Sequence, residues 1–226
     1  MFHVPCFMNL VILGPQGSGK GTQAEKLAEK FDLEHIDMGK FLREVALLDT
    51  PLGKEINEII NIKKELVDDK ILKKVLHVKL QDLGREKGIV FDGVPRREDQ
   101  MAYFEEAMLE FGRKIDKIVT IDLSEKESIK RISARRICEK CKTTYILGKD
   151  IEDEKKTCPK CGGQIILRPD DSEEGVRKRL GIFKEETVPV VNYYKKQGKL
   201  AEINGDQSIE KVFEEILVKI KDIVEK

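Results

Sequence analysis

Hydrophobic residues fall into short runs, some of them broken by polar residues, and these runs are separated by longer stretches in which hydrophobic residues recur at helical spacing. Five runs predict β-strands, at residues 10–13, 33–36, 89–92, 118–123 and 200–203. The stretches between them predict helices, the first of which carries the stripe Ala24, Leu27, Ala28 and Phe31. This alternation of strands and helices is typical of an α/β fold, in which helices cover a parallel sheet.

Two of the predicted helices bear on function. Ser124 and Glu127 have the spacing of a capping box and predict the start of one helix. That helix is expected to carry a basic cluster, formed by Arg131, Arg135 and Arg136. A later helix is expected to begin after Ser172 and to be interrupted by Pro189.

A glycine-rich segment, GPQGSGKGT at residues 14–22, lies between the first predicted strand and the first helix. Backbone N–H groups of such a turn and the positive end of the helix form a phosphate cradle, to which Lys20 adds a compact positive charge. Gly21 follows this lysine where the usual pattern has a hydroxyl, and Thr22 comes one place later. We therefore expect magnesium to rest on phosphate oxygens and water rather than on a side-chain hydroxyl. An ordinary glycine-rich turn is the alternative interpretation.

Asp92 ends the third predicted strand and precedes Gly93. Ligands of a doubly wound sheet bind at the carboxyl ends of its strands, so Asp92 is expected to face the same crevice as the glycine-rich loop. An aspartate in that place can hold magnesium through water. The alternative is a residue that only forms the turn. Gln100, near the start of the next helix, is a candidate for reading a base edge.

Four cysteines form two pairs, Cys138-x2-Cys141 and Cys158-x2-Cys161. This spacing is typical of two zinc knuckles. Four thiolates complete a tetrahedral zinc shell without an open position, so the predicted metal is structural and not catalytic. Two disulfides are the alternative interpretation.

The composition limits the possible partners. The 226 residues suit one main domain with a small insertion, and 42 basic residues balance 42 acidic ones. The chain therefore has no overall field that would attract nucleic acid or an anionic membrane, and it contains no apolar stretch long enough to cross one. We expect a cytoplasmic monomer. The four cysteines leave a zinc-ribbon nucleic-acid-binding ATPase as an alternative, against which the zero net charge argues.

Several motifs together resemble the adenylate kinase family, in its long form with a zinc-binding lid: GPQGSGKGTQ, MGKFLR, FDGVPR, RISARR, RPDDSEEGVRKR and NGD. The resemblance implies a P-loop doubly wound five-stranded parallel sheet, a helical insertion that binds the monophosphate, and a four-cysteine zinc-binding lid. Its implied divisions are 1–36 (core), 37–67 (monophosphate-binding insertion), 68–133 (core), 134–171 (lid) and 172–226 (core).

The activity implied by the resemblance is reversible, magnesium-dependent transfer of the ATP γ-phosphoryl group to AMP, giving two ADP, while lid closure excludes water. ATP and AMP are then the small-molecule partners, with Mg²⁺ and structural Zn²⁺ as the metals. The alternative within this class is another nucleoside monophosphate kinase, acting on CMP or UMP or using GTP as donor.

Site residues follow by position in the motifs. The implied ATP-binding residues are Gly17, Ser18, Gly19, Lys20, Gly21, Thr22, Arg135, Thr144, Tyr145 and Gln207. The implied AMP-binding residues are Met38, Arg43, Glu65, Leu66, Val67, Gly93, Val94, Pro95, Arg96, Gln100, Arg168 and Arg179. The implied catalytic residues are Lys20, Arg96, Arg131, Arg168, Asp170, Asp171 and Arg179.

The chain departs from the family at Met38, where a threonine is usual, and at Asp37, where a serine or small residue is usual. The Met38 departure removes a hydroxyl expected to help identify the acceptor base. Gln100 argues for adenine, because pyrimidine-preferring relatives tend to have asparagine there.

Overall fold

A computed structural model describes residues 7–63, 67–83, 87–152, 157–167 and 171–224. Its strands are β1 (Asn9–Leu13), β2 (Glu34–Asp37), β3 (Ile89–Asp92), β4 (Lys117–Asp122), β5 (Arg135–Cys138), β6 (Thr144–Ile146), β7 (Ile165–Ile166) and β8 (Leu200–Asn204). Five of them form a parallel sheet in the order β2-β3-β1-β4-β8. These five strands confirm the five that the sequence predicts, and no bound differs from its predicted position by more than one residue.

The α-helices are α1 (Lys20–Phe31), α2 (Met38–Val45), α3 (Pro51–Asn57), α4 (Asp69–Leu83), α5 (Glu98–Glu110), α6 (Glu125–Ser133), α7 (Glu173–Ile182), α8 (Val188–Lys196), α9 (Ile209–Lys219) and α10 (Lys221–Val224). Two π-helical turns, Glu58–Lys63 and Phe183–Thr187, continue α3 and α7. Among the helices that the structure describes, none is both long and apolar enough to cross a membrane.

Helices cover both faces of the central sheet. Leu10 and Ile12 of β1 pack in one apolar cluster with residues of α1 and α9. Val11 and Leu13 pack in the other cluster, which includes residues of α4, α5 and α8. The alternation follows from the two-residue period of a strand. Burial on both faces explains why the inner strands β1 and β3 are almost entirely apolar, whereas the edge strands β2 and β8 include polar residues.

The strand order places a topological switch point beside β1. This strand pairs with β3 on one side and with β4 on the other. The chain therefore leaves the carboxyl end of β1 above the crevice where α/β sheets bind ligands. Residues 14–19, which carry the glycine-rich motif, occupy this position.

The lid contains a second, antiparallel sheet in the order β6-β5-β7. These short strands were not predicted, and they change the expectation for the basic cluster. Helix α6 ends at Ser133, so Arg131 lies on the helix while Arg135 lies on β5. The prediction that both lie on one helix was wrong. Arg136 stabilises the helix end, because its Nη1 donates at 2.8 Å to the carbonyl oxygen of Ser133, the last helical residue, and a helix end leaves such carbonyls without a partner within the helix. The same Nη1 donates at 2.8 Å to the carbonyl oxygen of Arg135.

The prediction that Pro189 interrupts the helix was also wrong. Helix α7 passes through the π-helical turn directly into α8, and Pro189 lies in the first turn of α8. The wider turn pairs the N–H of Val188 with the carbonyl of Phe183, so proline's missing donor is accommodated without a break in the helix. Ser172 does cap α7 as predicted, since its Oγ accepts from the N–H of Gly175 at 3.2 Å.

Candidate functional site

The loop between β1 and α1 has the geometry of a phosphate cradle. Gly17 and Gly19 have φ angles of +80° and +87°, a region in which a residue with a Cβ atom is strained. Gly19 is the N-cap of α1, so the loop leads into the free N–H groups at the start of that helix. A Cβ atom on Gly14 would lie 2.7 Å from Ser18 Oγ, so the loop also closes tightly on itself. This loop presents backbone donors and a positive helix end to one anion.

Helix α6 supports the cradle from behind. The Ser128 hydroxyl donates to the carbonyl of Gln16, and the Ser128 carbonyl lies 3.2 Å from the position of a Cβ atom on Gly17. Ser128 itself is fully buried. Ser128 was not predicted from the sequence, because it lies between Glu127 and Ile129 in a largely charged helix and no local pattern marks its contact with the loop.

Lys20 reaches the centre of the site. Its Nζ lies 3.5 Å from the carbonyl of Pro15. Burial lowers the pKa of Lys20, the Asp92 carboxylate acts in the opposite direction, and the charges of Arg96 and Arg135 lower the pKa further. Groups from the glycine-rich loop, the end of β3 and the lid therefore act on one ammonium. Their convergence identifies this crevice as the candidate active site.

Asp92 lies beside the cradle at the end of β3. It is 7% exposed, and its Oδ1 has no hydrogen-bond partner among the residues that the structure describes. Its Oδ2 lies 3.9 Å from His35 Nε2 and 3.2 Å from the position of a Cβ atom on Gly21. Burial raises the pKa of Asp92, while Lys20 opposes that shift. A buried carboxylate oxygen without a protein partner suits a hydrated divalent cation bound to phosphates.

The acceptor side begins where β2 runs into α2. Asp37 caps this helix, because its Oδ1 accepts from the N–H of Lys40 at 2.8 Å. A Cβ atom on Gly39 would lie 3.3 Å from both Asp37 Oδ1 and Arg43 Nη1. The Arg43 guanidinium and the Asp37 carboxylate thus both lie against Gly39 in the first turn of α2.

A second acceptor-side group follows β3. Arg96 donates from Nε to the carbonyl of Gly93 at 2.7 Å, and its backbone N–H donates to Gln100 Oε1 at 2.9 Å. Gln100 is buried, and the Val94–Pro95 peptide bond is cis. The structure therefore brings the predicted residues of this segment together in one tight turn.

Other predicted acceptor residues lie deeper in the protein. Met38 is 2% exposed and Val67 is 6% exposed, and both belong to the apolar cluster that contains Leu42 and Ile71. The Met38 side chain fills the core at the start of α2, so it offers a nucleotide little surface. Four predicted site residues lie outside the described residues, namely Glu65, Leu66, Arg168 and Asp170.

Asp171 joins two arginines at the base of the lid. Its Oδ2 accepts from Arg135 Nε at 2.7 Å, and its Oδ1 accepts from Nη2 of Arg135 at 2.6 Å and of Arg179 at 2.9 Å. The Asp171 side chain is fully buried. Burial acts to raise the pKa of Asp171, but the hydrogen bonds and charges of the two arginines outweigh it and hold the pKa below the usual range.

The remaining predicted residues lie around the same crevice. Arg131 donates from Nε to Glu127 Oε1 at 3.0 Å, and its Nη2 lies 3.8 Å from Asp206 Oδ1. Gln207 donates from its side chain to the carbonyl of Asn204 at 2.8 Å, so it holds the turn after β8. Thr22 is exposed on the first turn of α1.

The four cysteines form a compact cluster whose sulfur atoms all lie within 4.8 Å of one another. The Cys138–Cys161 and Cys141–Cys158 sulfur distances are 3.5 Å and 3.6 Å. A tetrahedral site with Zn–S bonds of about 2.3 Å separates its sulfurs by about 3.8 Å, whereas a disulfide needs about 2.05 Å. The donor set and its spacing fit zinc.

Thr144 and Tyr145 lie on β6 beside this cluster. Thr144 is exposed, while the Tyr145 hydroxyl lies 3.0 Å from Cys158 Sγ. The hydroxyl is thus directed at the cysteines, which leaves the ring and backbone of Tyr145 for any contact with a nucleotide. Thr143 makes a similar contact, since its Oγ1 lies 3.2 Å from Cys141 Sγ. Thr143 was not among the site residues predicted from the sequence.

Comparisons with known proteins agree with this geometry. A protein-family model described as Adenylate kinase matches residues 12–199. An adenylate kinase from Archaeoglobus fulgidus is 41% identical over 217 residues, which cover 95% of this chain and 100% of that protein. Adenylate kinases from Petrotoga mobilis and Bacillus cytotoxicus are 41% and 38% identical, over 92% and 94% of this chain and 95% and 98% of their own lengths.

Proposed function

The chain belongs to the adenylate kinase family and is a nucleoside monophosphate kinase, and from this premise we propose that it transfers the γ-phosphoryl group of MgATP to AMP. The observation that carries the proposal is the glycine-rich loop that leads into α1, with the buried Asp92 carboxylate 3.2 Å from the position of a Cβ atom on Gly21. We propose the same division of the chain as above: core at 1–36, 68–133 and 172–226, acceptor insertion at 37–67 and lid at 134–171.

The donor is proposed to bind with its phosphates in the cradle. Backbone N–H groups of Gly17 to Thr22 surround the phosphates, and Lys20 approaches the β- and γ-phosphates. Thr144, Tyr145 and Arg135 hold the donor from the lid, and the Gln207 backbone meets its adenine. The exposure of Thr144 on the lid strand supports this assignment.

The acceptor is proposed to bind between α2 and the turn after β3. Arg43 and Arg96 hold its phosphate, and Gln100 reads its base. Gln100 accepts the Arg96 N–H through Oε1, which fixes the orientation of its amide.

Transfer requires little covalent chemistry from the protein. The acceptor phosphate is already ionised at neutral pH, so no general base is needed. The anionic phosphates of the donor and the acceptor repel one another, and Lys20, Arg131, Arg168 and Arg179 are proposed to compensate the charge on the group in transfer. Asp171 keeps two arginines of the lid base in place, with Asp170 beside it in sequence.

Magnesium enters with the donor and neutralises charge on the phosphate oxygens. Asp92 is proposed to orient the water molecules around it, and the partnerless, buried Oδ1 supports that role. Closure of the lid is proposed to exclude water, which would otherwise accept the phosphoryl group.

The first experiment supplies MgATP with AMP, CMP, UMP or GMP in turn and follows the diphosphates formed. Rapid phosphorylation of AMP alone is the expected result. A preference for CMP or UMP would keep the fold and transfer mechanism but would contradict the role of Gln100. Hydrolysis that depends on added nucleic acid would contradict the kinase proposal as a whole.

Zinc in the lid is proposed to hold β5, β6 and β7 together as one body. Removal of zinc, or the Cys138→Ser substitution, is expected to lower the melting temperature and to leave turnover at saturating ATP, well below that temperature, largely unchanged, since the metal has no open position for chemistry. Calorimetry and turnover of the same samples test this expectation, with metal content verified. An unchanged melting curve after verified zinc removal would contradict it.

A further inference from the structure

Two hydroxyl groups lie against the sulfur atoms of the lid. Thr143 Oγ1 is 3.2 Å from Cys141 Sγ, and Tyr145 Oη is 3.0 Å from Cys158 Sγ. Cys158 is 2% exposed, and Tyr145 packs against the small apolar cluster that surrounds the cysteines. One hydroxyl therefore reaches a sulfur of each knuckle.

These two residues flank a third that faces the other way. Tyr145 pairs with Arg136 on the neighbouring strand, and successive side chains along such a segment point to opposite faces. Thr143 and Tyr145 accordingly share the cysteine side, while the exposed Thr144 lies on the opposite side. Thr143 and Tyr145 thus contact the cysteine cluster, and the residue between them contacts the donor in the proposed function.

The charge of a four-cysteine zinc site gives these hydroxyls a role. Four thiolates, each with one negative charge, around one Zn²⁺ leave two net negative charges in a largely buried place. Thiolates bound to a metal act only as acceptors, so a neighbouring hydroxyl donates to them and offsets part of that charge. Partners in the outer shell of a metal site also fix the orientation of its ligands.

We propose that Thr143 and Tyr145 are positioning residues, whose hydroxyls donate to the zinc-bound thiolates of Cys141 and Cys158, raise the affinity for zinc and hold Thr144 in place against the donor. This inference rests on the zinc site of the proposed function. Two residues outside the cysteine motif then determine how tightly the metal is held. Through Tyr145, the zinc-bound thiolates also fix the position of the neighbouring Thr144 at the proposed donor site.

The test compares zinc release from Thr143→Val and Tyr145→Phe with release from the wild-type enzyme. Tyr145→Phe removes only the hydroxyl, and Thr143→Val replaces the hydroxyl with a methyl group, so both keep the approximate shape of the side chain. Each zinc-loaded protein is mixed with an excess of a coloured zinc chelator, and release is expected to be about tenfold faster in each variant. Thr144→Val, on the opposite side of the strand, is the matched control and is expected to release zinc at the wild-type rate.

Two further measurements separate positioning from packing. Melting temperatures of the variants are expected to fall below wild type in the zinc-loaded form and to equal it in the zinc-free form, whereas a packing defect would lower both. KM for ATP is expected to rise in Tyr145→Phe, and KM for AMP to stay unchanged.

The outcomes distinguish a failure of the proposed zinc site from a failure of the proposed hydroxyl contacts. If the wild-type enzyme takes up no zinc, the proposed zinc site is wrong and this inference is wrong with it. If the wild type holds one zinc ion per chain but both variants release zinc at its rate, only the inference is overturned.

Discussion

The Lys20→Ala variant is expected to keep its fold and to lose about 1,000-fold in turnover, which corresponds to about 4 kcal/mol of transition-state stabilisation. The ammonium lies at the start of α1, beside the loop proposed to hold the donor phosphates, and its charge is only partly hydrated there. Burial already lowers the pKa of Lys20, so removal of this desolvated charge does not cost the folded state stability. Turnover with MgATP and AMP and a melting curve of the same sample test both parts.

A lysine two turns further along the same helix provides the control. Lys26 lies over the Phe213 ring, 5.1 Å from its centroid, and contacts α9 rather than the crevice. Lys26→Ala is expected to keep turnover close to that of the wild type. Turnover near the wild-type level in Lys20→Ala would remove the glycine-rich loop from the mechanism.

The second large effect is expected from Asp171→Asn, which should lower the free energy of unfolding by about 3 kcal/mol. For a chain of this size, that loss corresponds to a fall in melting temperature of roughly 6–12 °C. Asparagine keeps the shape of the side chain but removes the negative charge that Arg135 and Arg179 share at a buried site. Thermal unfolding at neutral pH measures the effect.

The pH dependence of this difference gives an independent check. The pKa of Asp171 is below its usual range in the folded protein, so its stabilisation is fully present above the unfolded-state pKa of about 3.9 and is lost as the pH falls through the lower folded-state value. The gap between wild type and variant should therefore be constant near neutrality and shrink below about pH 4.

An exposed ion pair is the control for this second prediction. Asp49 Oδ1 lies 2.7 Å from Lys54 Nζ, but the Asp49 side chain is 89% exposed. Solvent screens such a pair, so Asp49→Asn is expected to change the unfolding free energy by less than about 0.5 kcal/mol. Equal losses in the two variants would show that burial of Asp171 does not strengthen its interactions.

The sequence was sufficient to predict the central sheet and the four-cysteine cluster. The inner strands β1 and β3 are buried on both faces and appear as separate apolar runs, and the apolar positions of β2 and β8 recur between helical stretches. The paired cysteines are read from spacing alone, because each knuckle is formed within a few residues of chain. Short-range signals of this kind survive in one sequence without any knowledge of the fold.

The features that were missed depend on contacts over long distances in the chain. The helical pattern around Arg131 does not reveal that Arg136 turns back to close the helix end. The strands of the lid are only two to four residues long, too short for a periodic pattern. The Ser128 contact with the glycine-rich loop joins residues 112 positions apart, and nothing in the local sequence specifies that partner.

Helix α6 contacts the phosphate loop through Ser128. A single residue separates the end of α6 at Ser133 from the first lid strand, which begins at Arg135. A displacement at the root of the lid is therefore also a displacement of the support beneath the loop. Two sites joined by one rigid element are thermodynamically coupled, and such coupling is reciprocal. If the lid closes as proposed, the factor by which bound phosphates shift its equilibrium equals the factor by which its position changes the affinity for phosphates. We therefore expect a substitution in α6 that touches neither substrate to alter donor binding.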